Sequence, residues 1–271
     1  MAITNFISTV WSENLLKQLD NKYVGVANCN REYEGEIKNK GSKVVICGVG
    51  NVSVSDYTKD TDMSAPEALN DFERTLEIDR AKYFNFQIDD VDRAQSTPKL
   101  MDQAMKNAAQ ALSCEADRYI YSLYDDAMGN IFLEDPTKDN IISTIINAKT
   151  CLYNQSAALP DDIIVEVCPE VAALILQAKM DLCPNSDAVE TGLLGNVAGC
   201  KIYVSHNIYH DDEYAKCFVR SKRAIAFAEQ ISEVEAYRPE KRFADAVKGL
   251  HLYGAKVVHP EEMVVLNIRI D

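Results

Sequence analysis

From Tyr83 to Ile88 apolar and polar positions alternate: Phe84, Phe86 and Ile88 fall on one side, Tyr83, Asn85 and Gln87 on the other, the period of a strand with one buried face. The surrounding chain divides by similar changes of pattern. Near the start, Trp11, Leu15, Leu16 and Leu19 recur at helical spacing, which predicts one short amphipathic helix within an N-terminal arm that needs something to lie on. Residues 31–79 are poor in large apolar side chains and carry strand-like runs at 43–47, 51–55 and 73–79. Such a stretch cannot hold a core of its own, so it is either disordered or an extended hairpin packed on another molecule, and its paired runs favour the hairpin.

The next pattern is helical. Ser96 and Thr97 supply an N-cap, Pro98 suits the first turn, and no breaker follows until Gly129. Leu100, Ala104, Ala108, Ala111, Leu112, Tyr119 and Leu123 are predicted to share one face. A run of roughly 30 residues would reach about 45 Å and act as a spine. Beyond Gly129 the chain reads as a compact mixture: a helix at 139–153, a β run at 162–168, a helix opened by Pro169, a strand near 200 and several strands over 224–271. The fold class is therefore α+β. Gly192, Gly195 and Gly199 in "GLLGNVAG" lack the GxGxxG spacing and strand-to-helix context of a phosphate loop, which leaves tight turns as their use.

At 271 residues and 47% hydrophobic content the chain can bury a sizeable core, as one large domain or two small ones. Acidic residues outnumber basic ones 42 to 28, a formal net charge of −14, which argues against tight nonspecific binding to a polyphosphate. No apolar run is long enough to span a bilayer, and the first residues lack a basic segment followed by an apolar core, so the expectation is a cytosolic protein with no membrane partner. The eight cysteines stand singly, without CxxC spacing, and read as reduced thiols that mostly fill the core.

Candidate chemistry is sparse. Asp89, Asp90 and Asp92 could hold a divalent metal if a second acidic cluster or a phosphate completed the shell, but acids at this point also suit a turn between a strand and a helix. His206, His210, Asp211 and Asp212 gather in what reads as a polar surface loop between strands, whereas His251 and His259 lie in strand-like sequence without acidic partners nearby. No GxSxG, P-loop or HExxH motif occurs. The basic clusters 220–223 and 238–242 are expected to be solvated or to meet acidic surfaces of neighbouring copies.

Four stretches together, "ITNFISTVWSENLL", "VSVSDYTKDTD", "AKYFNFQIDDVDRAQ" and "AFAEQISEVEAYRPEKRFADAVKGLHLYGAKVVHP", resemble the major capsid proteins of tailed bacteriophages over nearly the whole chain. That resemblance implies a non-enzymatic shell subunit without cofactor, catalytic residues or metal. It would comprise an N-terminal arm (1–30), an extended E-loop (31–79), a P-domain with the spine helix (80–138), an A-domain (139–230) and returning P-domain strands (231–271). By position it implies inter-subunit contacts at Arg31, Lys43, Asp56, Tyr57, Lys59, Asp60, Arg238, Lys241 and Arg242. Its partners would be further copies in hexamers and pentamers, a portal, a separate scaffolding protein and packaged double-stranded DNA held nonspecifically. Its place would be the virion, after assembly in the bacterial host cytoplasm. Some members begin with a charged helical scaffolding segment, whereas here capsid-like sequence starts within the first few residues, so a separate scaffolding protein is expected, or none. Two alternatives stay open: the shell of a cellular nanocompartment, and a metal-dependent enzyme built on Asp89, Asp90 and Asp92.

Overall fold

A computed structural model describes residues 15, 19, 22–33, 43–49, 56, 59, 71–89, 100–155, 163–178, 193–240 and 243–270. Among the described residues, three helices, α1 (Leu100–Tyr121), α2 (Ile141–Gln155) and α3 (Pro169–Gln177), accompany eleven strands, and the buried Leu15 and Leu19 are helical. In chain order the strands are β1 (Lys43–Val49), β2 (Asp71–Glu77), β3 (Arg80–Asp89), β4 (Gly129–Leu133), β5 (Ile163–Val167), β6 (Leu193–Val197), β7 (Cys200–Val204), β8 (Tyr214–Ser221), β9 (Ile225–Tyr237), β10 (Ala244–Val257) and β11 (Met263–Arg269). They form the hairpin β1-β2, a three-stranded sheet in the order β3-β10-β9, and a six-stranded sheet in the order β4-β11-β8-β5-β7-β6. All five residues of β5 and seven of eight in β8 are buried, as continuous apolar runs covered on both faces should be. Helix α2 closes one side of this sheet by packing on β8, β11 and α3.

The strands of the tail find their partners far back in the chain. β10 lies between β9 and β3, with Gly249 opposite Phe84, and β11 runs antiparallel to β8 and parallel to β4. Around "GLLGNVAG", β6 and β7 form a hairpin whose two-residue turn, Ala198 and Gly199, has positive φ at both positions, as a type I′ turn requires. Gly199 thus serves a tight turn as expected, Gly195 instead sits at a register shift within β6, and Gly192 lies outside the described residues.

Two expectations need correction. First, α1 spans 22 residues, about 33 Å, but its buried stripe is Met105, Ala109, Leu112, Ala116 and Ile120, with Ser113, Asp117 and Tyr121 buried beside it. Ala111 is exposed, and Ala104, Ala108, Tyr119 and Leu123 are half-buried. The face is rotated because residues 22–29 pack against the helix at Asp117, a polar position that a count of apolar residues passes over. Second, the β1-β2 stem packs on its own chain: Val44, Ile46, Leu76 and Ile78 form a second core with Ala226, Ala228, Leu252 and Val258. Their spacing is closed by Gly254, where an added Cβ would lie 2.1 Å from the Glu77 carbonyl oxygen, so the end of the hairpin crosses β10 in backbone contact.

What joins the parts is a buried polar clamp on residues 22–30. Arg220 and Glu166, both fully buried on the neighbouring strands β8 and β5, make a bidentate pair through Nε to Oε2 (2.9 Å) and Nη2 to Oε1 (3.1 Å). The same guanidinium donates to the carbonyls of Asn28 (2.7 Å) and Gly25 (3.1 Å). Asn28 donates through Nδ2 to Glu166 and to the Val24 carbonyl. From α1, Asp117 accepts the amides of Val24 and Val26, each at 3.0 Å. Asn30 then joins β9, accepting from the Phe227 amide and donating to the Ile225 carbonyl, both 2.9 Å. The basic cluster 220–223 is therefore not a solvated patch at its first residue. Arg220 is an internal strut, Arg223 pairs with Glu262, and Lys222 is exposed.

Burial raises the Glu166 carboxyl above its usual range against the pull of Arg220, pushes the Asp117 carboxyl up to about 7 against its backbone amide donors, and pushes the Cys29 thiol up to about 11. Arg220→Met should cost roughly 3–5 kcal/mol in urea unfolding, because it strands the Glu166 charge. Arg220→Met with Glu166→Leu should recover only part of that, since the Gly25 and Asn28 carbonyls lose their donor. A loss below about 1 kcal/mol in the single variant contradicts the clamp. The folded Asp117 carboxyl holds its proton more tightly than the unfolded one, so its ionisation costs stability fully above about pH 7, and progressively less as pH falls toward about 4. Asp117→Asn should therefore gain on wild type by roughly 1.4 kcal/mol per pH unit between about pH 5 and about pH 7, read from paired melts. A pH-independent difference contradicts this assignment.

Candidate functional site

Of the nine residues singled out for contacts between copies, the structure places five. Arg31 turns inward, its Nη2 2.7 Å from Glu229 Oε1. Glu229, on β9, also accepts from the Tyr23 hydroxyl at 2.5 Å and lies 2.8 Å from His251 Nε2. Burial would raise the Glu229 carboxyl, but His251, Tyr23 and Arg31 outweigh it and hold the group below the usual carboxylate range. Lys43 pairs across the β1-β2 stem with Glu77 at 3.4 Å, and Arg238 pairs with Asp245 at 3.1 Å, both in exposed positions. Asp56 and Lys59 are exposed. Tyr57, Asp60, Lys241 and Arg242 lie outside the described residues. Arg31, Lys43 and Arg238 thus have partners within the chain, on three different elements.

The expectation that His251 and His259 lack acidic partners is overturned. His259 Nδ1 sits 3.2 Å from Glu261, two residues on, and His251 meets Glu229 because β9 and β10 bring residues 22 positions apart onto one face of the sheet. His206 and His210 do lie in the connection between β7 and β8, but Ser205, Asn207 and Ile208 beside them are buried, so the loop is only partly a surface. Asp211 there pairs with Lys216 at 2.6 Å, which with backbone amides draws its carboxyl down to about 2. Asp89 is the last residue of β3, opposite Ala244, whereas Asp90 and Asp92 lie outside the described residues. Among the described residues no group of three or more His, Cys, Asp or Glu could hold a metal ion, and no helix is long and apolar enough to cross a membrane. Cys29, Cys168, Cys200 and Cys217 are buried free thiols, and Cys114 and Cys151 are half-buried.

The residues missed by sequence reading are Glu166, Arg220, Asp117 and Glu229. Two carried a usable signal: Glu166 in "IIVEV" and Arg220 in "CFVRS" are charges inside apolar strand runs, where a charge is buried only with a partner.

Among the described residues, large hydrophobics stand exposed on edge strands and connections, and also at Ile146, Tyr153 and Leu176 on the helices. Tyr83 (78% exposed) is on β3 and Phe132 (60%) on β4, each an edge strand of its sheet, and Phe243 (86%) lies between β9 and β10. Edge strands carrying exposed aromatics offer both unpaired backbone groups and apolar area to another chain. This surface, rather than a pocket lined with reactive groups, is the candidate site.

No protein-family model and no curated protein matches the sequence. Solved structures do match. A chain of Mycobacterium phage Che8 is 28% identical with a TM-score of 0.71, over 90% of this chain and 91% of that one. The capsid of cyanophage P-SCSP1u is 15% identical with a TM-score of 0.66, over 85% and 84% of the two chains. A virus-like particle from Pyrococcus furiosus is 12% identical with a TM-score of 0.58, over 98% and 100%. Over about nine-tenths of its length, the chain has the fold of the major capsid proteins of tailed phages.

Proposed function

We propose that the protein is a major capsid protein, a structural and non-enzymatic subunit that assembles with further copies into the icosahedral shell around the double-stranded DNA of a tailed phage. The observation that carries this reading is the agreement in fold along nearly the whole of both chains, not along one shared module. It accords with exposed aromatics at sheet edges and connections, Tyr83, Phe132 and Phe243 among them, and with buried charges spent on internal pairing. In this reading residues 1–30 are the arm, 31–79 the E-loop, 80–138 and 231–271 the P-domain and 139–230 the A-domain. Hexamers and pentamers of the chain form the shell, a portal is its partner, and assembly takes place in the host cytoplasm. A net charge of −14 suits a wall that must not grip the packaged polyanion. The shell of a cellular compartment is the second reading, favoured by the likeness to the Pyrococcus furiosus particle. Cargo enzymes in place of nucleic acid inside purified particles would select it.

The β1-β2 stem contributes to the core of its own subunit, and residues 50–70 are the sequence that connects its two strands. Replacing residues 50–70 by a short Gly/Ser linker should leave circular dichroism and a cooperative melt unchanged and abolish rapidly sedimenting shells. Shells forming as efficiently as in wild type would remove the inter-subunit role from this loop.

A further inference from the structure

We propose that Phe243 is a knob by which one copy of the chain docks into the groove between β3 and α1 of a second copy, an inference that rests on the shell reading above. Phe243 is the most exposed large hydrophobic side chain among the described residues, one position before the start of β10. Most of its ring is open to solvent. The groove is about 410 Å³ and open to solvent, with Phe84, Phe86 and Ile88 interleaved by Asn85 and Gln87 on the β3 wall and Ala104, Asn107 and Ala108 on the α1 wall.

Side-chain size explains why the groove stays open. On α1 two of the three wall positions, Ala104 and Ala108, are alanines, and on β3 the rings of Phe84 and Phe86 stack at 5.9 Å. Phe84 is drawn over β10 because its partner is Gly249, where a Cβ would lie 2.4 Å from the ring. β3 is an edge strand, so this apolar strip lies at a margin of the sheet that another copy can approach. Charge favours the same match. The segment "RPEKRF" that ends in Phe243 carries three bases and one acid; Arg238 already meets Asp245, which leaves Lys241 and Arg242 as the bases beside the knob in sequence, while an exposed Asp102 stands in the first turn of α1.

Knob and groove are different residues of one chain, so the contact can repeat head to tail, the kind that propagates into rings and lattices, and the shell reading requires that arrangement rather than a reciprocal pair closed about a two-fold axis. Phe243 cannot be filling the groove of its own subunit, because it is 86% exposed.

The test mixes two full-length variants, Phe243→Cys and Ala104→Cys, lets them assemble, and oxidises with oxidised glutathione, which forms the protein disulfide while being reduced to two glutathione thiols. Mass spectrometry of the digest should find a peptide linking Cys at 243 of one variant to Cys at 104 of the other. Separately, Phe243→Asp and Ala104→Glu should each lower the assembled fraction at least about tenfold at wild-type concentration, with unchanged melts, and Phe243→Leu should retain assembly. Absence of the 243–104 link in assembled particles, assembly of Phe243→Asp at the wild-type level, or a link from position 104 to native Cys47 of a neighbour, which would make the hairpin the occupant, overturns the proposal. Failure of the shell reading shows differently: wild type then forms no large assemblies. In that event the link, sought in whatever oligomer exists, supports the contact if present and removes it if absent.

Discussion

The Arg220–Glu166 pair is the interaction on which the rest of the subunit depends. It lies on adjacent strands of the six-stranded sheet, and its spare donors hold the carbonyls of Gly25 and Asn28. From there the segment reaches α1 through Asp117 and β9 through Asn30, and its flanks meet Glu229 through Tyr23 and Arg31. One short stretch of chain therefore ties both large sheets and the long helix together. Each buried charge in the arrangement would be costly alone, and every one of them is matched to a partner supplied by a different element.

That arrangement suits a shell subunit. Contacts between copies load a protein from its edges, and a thin subunit must transmit that load without its sheets sliding apart. Apolar packing is nondirectional and tolerates sliding, whereas bidentate pairs and backbone hydrogen bonds fix register. The molecule uses the first to fill its two cores and the second to lock residues 22–31 across them. Its reactive groups are accordingly consumed: Glu229 faces three partners, Glu262 accepts from Ser221 and Arg223, and Asp211 holds Lys216. Among the described residues, the largest exposed aromatic surfaces are on the edge strands β3 and β4 and just before β10.

Much of the architecture was legible in the sequence because it is local. The alternation at 83–88 marks β3, Pro169 opens α3, and the breaker-free run after Pro98 marks α1. Features set by long-range pairing were not. The buried stripe of α1 is turned by Asp117, whose partners lie some 90 residues earlier in the chain. His251 finds Glu229 only once the β9-β10 register exists, and the hairpin stem finds cover only once residues 226–258 are folded beneath it. The contacts between copies are least legible of all, since a residue such as Arg31 reads equally well as a surface charge or as an internal partner until Glu229 is placed beside it.

Cryo-electron microscopy of the purified full-length protein tests the central claim most directly. Closed icosahedral particles are predicted, built from six-fold and five-fold clusters of this subunit, with β3 and the turn before β10 facing neighbouring copies. Monomers or open, irregular aggregates across a wide range of concentration and salt, with no closed particle, would contradict it.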